Sequence, residues 1–231
     1  MKIEILFPEI CDLYGDSGNV LYLEKNFPKD TVIKTSFLET PYFVNNNVGL
    51  IYLGPMSENN FIKVLNKLKP YKKRIKELIS QNVVFLFTGN ACEIMGKTIQ
   101  IDNKDILKGL NLINVETIFN KDNRYNSLFL GDFSDEDHPI VGYKSQNDIL
   151  IVNDAPLFKV TKEKNNAQFE GVRKNNFFGT NLLGPILILN PYFTKYLFSL
   201  LGFNEPIYLE EELISAYNRR LKEYQIENIK L

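Results

Sequence analysis

The sequence contains few of the residues that form disulfide frameworks and metal centres. Its 231 residues include two cysteines, Cys11 and Cys92, and one histidine, His138. The cysteines are far apart in the chain, and neither a second pair nor a histidine cluster accompanies them. We therefore expect free thiols, no metal site and no cofactor.

The sequence also lacks a surplus of positive charge and a long apolar run. Lysine and arginine number 27 against 28 aspartates and glutamates, so no global positive field attracts nucleic acid or an anionic membrane. Glu4 and Glu9 interrupt the N-terminal segment, and the longest apolar stretch, residues 182–189, contains Gly184 and Pro185. We expect a cytoplasmic protein that binds neither nucleic acid nor membrane.

The first half of the sequence alternates between short apolar runs and segments with helical periodicity. Strands are predicted at residues 2–7, 32–38, 48–53 and 83–87. Helices are predicted at residues 20–27 and 61–81, with an interruption at Pro70. Near-continuous apolar runs are typical of parallel strands that are covered on both faces, which indicates a doubly wound, mostly parallel α/β sheet.

The second half has shorter strand-like runs between polar turns, which predict antiparallel strands appended to the main sheet. These runs are residues 98–101, 115–119, 128–133, 139–143, 149–152 and 157–161. Residues 177–182 predict one more buried strand, and residues 191–201 predict a helix. Residues 208–224 have an apolar stripe with acidic side chains early and basic ones late, as in an amphipathic helix. We expect one domain over residues 1–205 and a C-terminal helix at 206–231 packed on it.

Loops that follow predicted strands are the candidate sites, because open α/β sheets bind ligands at the carboxyl ends of their strands. Residues 14–19, YGDSGN, place two glycines at a helix start, although a capped turn explains them equally well. Gly54 and Pro55 follow a buried strand, where backbone N–H groups can line an oxyanion site.

The sharpest candidate follows the apolar run at residues 83–87. Thr88, Gly89 and Asn90 form a small-residue turn between a predicted strand and a predicted helix. This is the pattern of a nucleophile elbow, in which the first loop residue is raised from the sheet and the next N–H helps to bind an oxyanion. The expected elbow residue is therefore Thr88.

Four separated segments occur in an order and spacing that resemble one known family. They are DLYGDSGNVLYLEK, LIYLGPMSE, FEGVRKNNFFGTNLLGPILILNP and the helix after it. Over residues 3–202 the sequence resembles the cobyric acid synthase-like class I glutamine amidotransferases, most of all the glutaminase subunit of lipid II isoglutaminyl synthase. The resemblance implies a flavodoxin-like fold and glutamine or another small ligand. It also implies a Mur ligase-like, ATP-dependent synthetase as partner, in amidation of a cell-wall precursor or of the cobyric acid type.

The segments that carry the chemistry of this family are altered here. The resemblance places the family's cysteine nucleophile at Thr88 and its histidine at Leu183. A threonine hydroxyl without an adjacent base is a poor nucleophile, and leucine cannot accept a proton. Loss of one member of such a unit typically lowers turnover by about a millionfold. We therefore expect a catalytically degenerate subunit.

Two further positions are candidate binding residues, and a third, Cys92, leaves an active enzyme as an alternative. Arg124 resembles a family arginine that helps to hold glutamine, and Asp16 lies in the first glycine-rich loop. Residues 142–147 depart from the family's pattern. In the alternative, Cys92 is a relocated nucleophile about one turn beyond the elbow, whereas the simpler interpretation makes it a buried apolar residue.

A serine esterase is the second alternative. Gly15-Asp16-Ser17 and the Asp135 to His138 block resemble the outer blocks of GDS-type esterases and lipases. In those enzymes the second block lies just ahead of the last helix, whereas several predicted strands follow His138 here. The chymotrypsin-type signature at residues 15–18 matches by letters alone, because no histidine precedes it.

Overall fold

The computed structural model describes residues 1–102, 105–120, 122, 124–164 and 167–226. The strands are β1 Ile3–Leu6, β2 Val32–Thr35, β3 Leu50–Leu53, β4 Val84–Thr88, β5 Thr98–Ile101, β6 Asp105–Lys108, β7 Val115–Phe119, β8 Tyr125–Phe133, β9 Glu136–Gln146, β10 Asp148–Val152, β11 Phe158–Lys162, β12 Phe169–Glu170, β13 Val172–Lys174 and β14 Phe177–Thr180. The α-helices are α1 Ser17–Asn26, α2 Glu58–Leu68, α3 Lys72–Ser80, α4 Ile186–Leu189, α5 Pro191–Ser199 and α6 Glu210–Gln225. Short 3₁₀ helices lie at Leu13–Gly15, Tyr42–Val44, Lys69–Tyr71 and Gly89–Met95.

The central sheet has six strands in the order β13-β14-β4-β3-β1-β2. Its neighbouring strands are parallel except that β13 is antiparallel to β14. β1, β3, β4 and β14 are buried at every position. The near-continuous apolar runs of the sequence therefore form parallel strands, as predicted.

Two hydrophobic clusters cover opposite faces of the central sheet. Ile51 and Phe85 pack with residues of α2 and α3 on one face. Their chain neighbours Tyr52 and Leu86 pack with residues of α1 and α5 on the other face. Successive side chains of a strand point to opposite faces, so each strand contributes to both clusters. This burial on both faces confirms the doubly wound α/β class.

The additional strands form two separate four-stranded sheets, in the orders β10-β7-β5-β6 and β12-β11-β8-β9. Their pairing is antiparallel except that β5 and β7 are parallel. The antiparallel strands were predicted as additions to the main sheet. Only β13 is an antiparallel strand of the central sheet, and the others form the two separate sheets. β10 alternates between half-buried and exposed positions, which is typical of a strand with one covered face.

The amphipathic segment near the end of the chain forms α6, which packs against α4, α5, β8 and β9. Tyr217 is its buried anchor, and the Tyr217 hydroxyl donates a hydrogen bond to the carbonyl of Pro139 over 2.6 Å. The division of the chain at residues 205 and 206 remains a prediction. Among the described residues, no helix combines the length and the apolar character that crossing a bilayer requires.

Candidate functional site

A cavity of about 700 Å³ opens at the carboxyl ends of β3, β4 and β14. These strands are parallel neighbours in the central sheet, so the loops after them meet. Pro55 and Met56 line the cavity from the first loop, Gly89 and Asn90 from the second, and Leu183 from the third. The loops singled out from the sequence therefore enclose one space.

The turn after β4 has its special backbone conformation at Gly89, one residue later than predicted. Thr88 is extended, with φ −112° and ψ 154°. Gly89 has φ +54°, in the left-handed region that glycine adopts without the penalty of a Cβ atom. The chain continues as the 3₁₀ helix Gly89–Met95 and not as an α-helix. The raised residue of the elbow is therefore a glycine, which has no side chain.

Pro55 and Leu183 fill the space in front of Gly89. A Cβ atom added to Gly89 would lie 2.6 Å from Cβ of Pro55 and 3.3 Å from Cδ2 of Leu183. The first distance is too short for two carbon atoms, so a side chain at the elbow requires Pro55 to move. Leu183 thus lies close to the elbow, but it faces Gly89.

Thr88 lies behind the elbow in a buried polar network. Its hydroxyl donates to Oδ2 of Asp16 over 2.9 Å. Asp16 also accepts hydrogen bonds from the Tyr52 hydroxyl and, over 3.1 Å, from Nδ2 of Asn19. Thr88 and Asp16 are buried and do not line the cavity. Gly89, and not Thr88, thus has the backbone conformation of an elbow, and the positions of Thr88 and Asp16 give their predicted catalytic and substrate-binding roles no support.

The electrostatics of this network favour a protonated carboxyl group. Burial raises the pKa of Asp16 to about 7, against the lowering effect of its hydrogen bonds from Thr88 and Asn19. Loss of hydration disfavours the carboxylate more than these two donors stabilise it. Asp16 therefore joins the loop after β1 to the ends of β3 and β4 as a structural group.

The backbone N–H of Met56 in the loop after β3, which an oxyanion site would need to be free, is already engaged in a hydrogen bond. The N–H of Met56 donates to Oδ1 of Asn90 over 3.0 Å, and Nδ2 of Asn90 donates to the carbonyl of Met56 over 2.9 Å. Gly54 does not line the cavity, because it packs against Cys11 and Asp16. Of the predicted oxyanion residues, Pro55, Gly89 and Asn90 reach the cavity and Gly54 does not.

The floor of the cavity consists of Glu93, Gln146, Asp148 and Asn181. The side chains of Glu93 and Asp148 are hydrogen-bonded to each other. Burial and the neighbouring Asp148 raise the pKa of Glu93 well above its usual range, and burial raises the pKa of Asp148. Burial therefore favours the protonated form of both carboxyl groups. Neither carboxyl was among the site residues predicted from the sequence.

Cys92 lies behind this floor and not in the cavity. It is fully buried, and its thiol donates to Oδ1 of Asn181 over 3.6 Å. Burial raises the pKa of this thiol well above its usual range, and the charges of Glu93 and Asp148 add to the effect. A thiol needs to ionise to be a good nucleophile. The position of Cys92 therefore argues against its being a relocated nucleophile.

Arg124 lies at the rim of the cavity. Its guanidinium donates to the Tyr14 hydroxyl over 3.0 Å and to Oγ of Ser145 over 2.8 and 3.0 Å. The guanidinium also lies over the Tyr14 ring, 5.8 Å from its centroid. The residue that the sequence suggests for ligand binding is thus at the cavity, and its binding role remains a prediction.

Ser17 and His138 do not form a catalytic pair in the described part of the chain. Ser17 begins α1, and no hydrogen bond joins it to His138. Nδ1 of His138 lies 2.8 Å from Oε1 of Glu136, and its ring stacks on Tyr192 with centroids 3.4 Å apart. The geometry gives the serine esterase alternative no support.

Comparisons with known proteins agree with this fold. Relatives include the lipid II isoglutaminyl synthase (glutamine-hydrolyzing) subunit GatD of Streptococcus pneumoniae R6, 25% identical over 203 residues, with 82% of this chain and 76% of the relative covered. GatD of Staphylococcus aureus N315 is 27% identical over 192 residues, with 80% and 78% covered. No family model matches the sequence.

Solved structures with a similar fold are glutamine amidotransferases. One from Thermotoga maritima has a TM-score of 0.53 at 14% identity and covers 99% of this chain and 100% of its own. Another has a TM-score of 0.57 at 8% identity and covers 87% and 100%. The chain therefore has the class I glutamine amidotransferase fold and is related, at low identity, to the GatD subunits of lipid II isoglutaminyl synthases.

Proposed function

We propose that this chain is a glutamine amidotransferase-like subunit in the amidation of a peptidoglycan precursor. Its relatives are subunits of lipid II isoglutaminyl synthase, and the match covers 76% and 78% of their lengths. A shared fold alone does not transfer a function, but similarity over most of both chains supports a shared role as a subunit. In this proposal the partner is a Mur ligase-like, ATP-dependent amide synthetase in the cytoplasm.

We further propose that the subunit binds a ligand without hydrolysing glutamine. The elbow supports this most directly, because a glutaminase needs a nucleophile and a base in contact. Gly89 has no side chain, and Pro55 and Leu183 crowd the position of any Cβ atom added to it. The N–H of Met56 is also engaged by Asn90. The absence of a side chain at Gly89 and the engagement of this N–H support the proposed loss of hydrolysis.

Ammonia release from glutamine tests the non-hydrolytic role. We expect the purified chain to release ammonia at the background rate, alone and together with a copurified synthetase. A GatD subunit assayed in parallel is the positive control. Turnover comparable to that of GatD would refute the proposal, and its loss in Cys92→Ala would identify Cys92 as the nucleophile.

Copurification tests the subunit role separately. We expect an affinity-tagged chain to retain a Mur ligase-like synthetase from the same cells. The complex should amidate its substrate with ammonium chloride as nitrogen source and not with glutamine. Failure to form a complex would contradict the subunit role, whereas use of glutamine would contradict only the loss of hydrolysis.

A further inference from the structure

The cavity has ends of opposite chemical character. At the rim, the guanidinium of Arg124 is exposed and held by Tyr14 and Ser145. At the floor, Glu93 and Asp148 supply carboxyl groups. The lining also includes the polar side chains of Glu58 and Asn59 and a set of apolar side chains: Phe61, Ile62, Ile99, Leu107 and Phe119.

The floor contains an acceptor that no group of the described residues satisfies. Nε2 of Gln146 donates to the carbonyl of Asp148 over 2.8 Å. Oε1 of the same side chain is shielded from water and has no hydrogen-bond partner among the described residues. Buried acceptors are nearly always paired, so an unpaired one beside a cavity indicates a ligand with a donor group. Asp148 lines the same cavity, and its Oδ2 accepts a hydrogen bond from Nδ2 of Asn181 over 2.9 Å.

We propose that the cavity binds an ω-amino acid, with the protonated primary amine at the floor and the carboxylate at Arg124. A primary ammonium has three donors and no acceptor, which matches the oxygens of Glu93, Asp148 and Gln146. Arginine pairs with carboxylates through two parallel hydrogen bonds. The alkyl spacer packs against the apolar side chains of the lining. Among the described residues, no group of three or more His, Cys, Asp or Glu side chains can hold a metal ion instead.

The spacing of the two ends limits the ligand to a small molecule. Ser145, which holds Arg124, and Asp148 of the floor are three residues apart in the chain. Their Cα atoms therefore lie within about 11 Å of each other. This inference rests on the proposed function, in which the subunit binds a ligand without hydrolysing it. Such a cavity needs binding groups at its floor and no nucleophile.

Calorimetric titration with matched ligands tests the inference. The probes are 4-aminobutyrate, 5-aminopentanoate and 6-aminohexanoate, each compared with the alkanoate of the same length that lacks the amine. We expect at least one amino acid of the series to bind about tenfold more tightly than its alkanoate. Equal binding of the two, or no binding by any member of the series, would overturn the proposal.

Substitutions at each end identify the groups that bind. Glu93→Gln and Arg124→Gln should each weaken the best ligand by about tenfold. The matched controls are Glu4→Gln, which changes a buried acid outside the cavity, and Arg219→Gln, which changes an exposed arginine. Both controls should bind as the wild type does.

Folding is checked by circular dichroism and thermal unfolding, and Asp148→Asn replaces Glu93→Gln if that variant does not fold. Unchanged affinity in the floor variants would refute the assigned orientation. Glutamine hydrolysis by the wild type would refute the proposed loss of hydrolysis and leave the outcome of these titrations unaffected. If the amino acids bind no more tightly than the alkanoates while ammonia release stays at the background rate, only the proposed ligand class is refuted.

Discussion

Replacement of Gly89 by alanine tests whether the elbow has room for any side chain. Gly89 has φ +54°, and an added Cβ atom would lie 2.6 Å from Cβ of Pro55. Gly202 is the matched control, because it has φ +75° and no atom within 4 Å of the same added position. Both variants carry the backbone penalty, and only Gly89→Ala carries the contact.

The expected effects follow from two separate costs. An L-residue in the left-handed region costs about 1–2 kcal/mol, which applies to both variants. Overpacking in a well-packed core costs about 1–3 kcal/mol more, which applies to Gly89→Ala alone. The change in unfolded-chain entropy is common to both and cancels in the comparison. We expect Gly89→Ala to lower the free energy of unfolding by about 2–5 kcal/mol and Gly202→Ala by about 1–2 kcal/mol.

Denaturant unfolding measures these terms in the wild type, in the single variants Gly89→Ala, Gly202→Ala and Pro55→Gly, and in the double variant Pro55→Gly/Gly89→Ala. Replacing Pro55 by glycine removes the contacting Cβ atom, so the double variant should recover most of the steric cost relative to Pro55→Gly alone. Equal destabilisation by Gly89→Ala and Gly202→Ala would show that Pro55 can move aside at little energetic cost. The elbow would then have room for a nucleophile, and the structural argument for lost hydrolysis would fail.

Three further predictions concern the groups behind the elbow. The pKa of Asp16 is about 7 in the folded state and about 3.8 in the unfolded chain. Between these two values the folded state binds one proton more than the unfolded chain, so Asp16 lowers the free energy of unfolding as the pH rises from 4 to 7. Asp16→Asn should remove this slope, about 4 kcal/mol at most, in denaturant unfolding at several pH values; an unchanged slope would contradict the pKa. Thr88→Val should cost about 1–2 kcal/mol of unfolding free energy and Thr88→Ser less, whereas equal costs would assign the effect to packing. Iodoacetamide should label Cys92 only after unfolding, as read by mass spectrometry, and rapid native labelling would contradict its burial.

The parallel strands were predictable because they are buried on both faces. β4 is buried at all five of its positions, and the first four of them, residues 84–87, form an apolar run that is typical of a strand covered on both faces. β10 alternates between half-buried and exposed positions. Such alternation predicts a strand with one covered face, but it does not specify which strand is its neighbour. The hydrophobic pattern therefore predicted these strands but could not predict that they form separate sheets.

The elbow was predicted one residue too early because the end of a strand depends on tertiary contacts. Thr88 continues β4 and pairs with Thr180 of β14. Its hydroxyl is held by Asp16, from a loop 72 residues earlier in the chain. Nothing in the letters of residues 87–90 distinguishes a strand that ends at Phe87 from one that ends at Thr88. The sign of φ at Gly89 decides the question, and only the structure contains it.

The carboxyl pair of the floor combines a residue that the sequence signals with one that it does not. Glu93 stands among apolar residues in the segment after a buried strand, where a charged side chain is unusual and indicates a special environment. Asp148 lies in a different sheet, in a polar segment that resembles any surface turn. Packing of β10 and β7 beside the 3₁₀ helix brings the two together.

We propose that the residues around the elbow are adapted to one another and are not the remains of a damaged glutaminase site. Loss of a catalytic side chain by itself leaves an empty volume or an unpaired polar group, and both are destabilising. Here Pro55 and Leu183 occupy the volume in front of Gly89, and Asn90 satisfies both backbone groups of Met56. The unsatisfied acceptor of the cavity is on its floor, at Gln146, and not at the elbow. A crowded elbow together with an unpaired acceptor elsewhere in the same cavity is the arrangement expected of the proposed binding site.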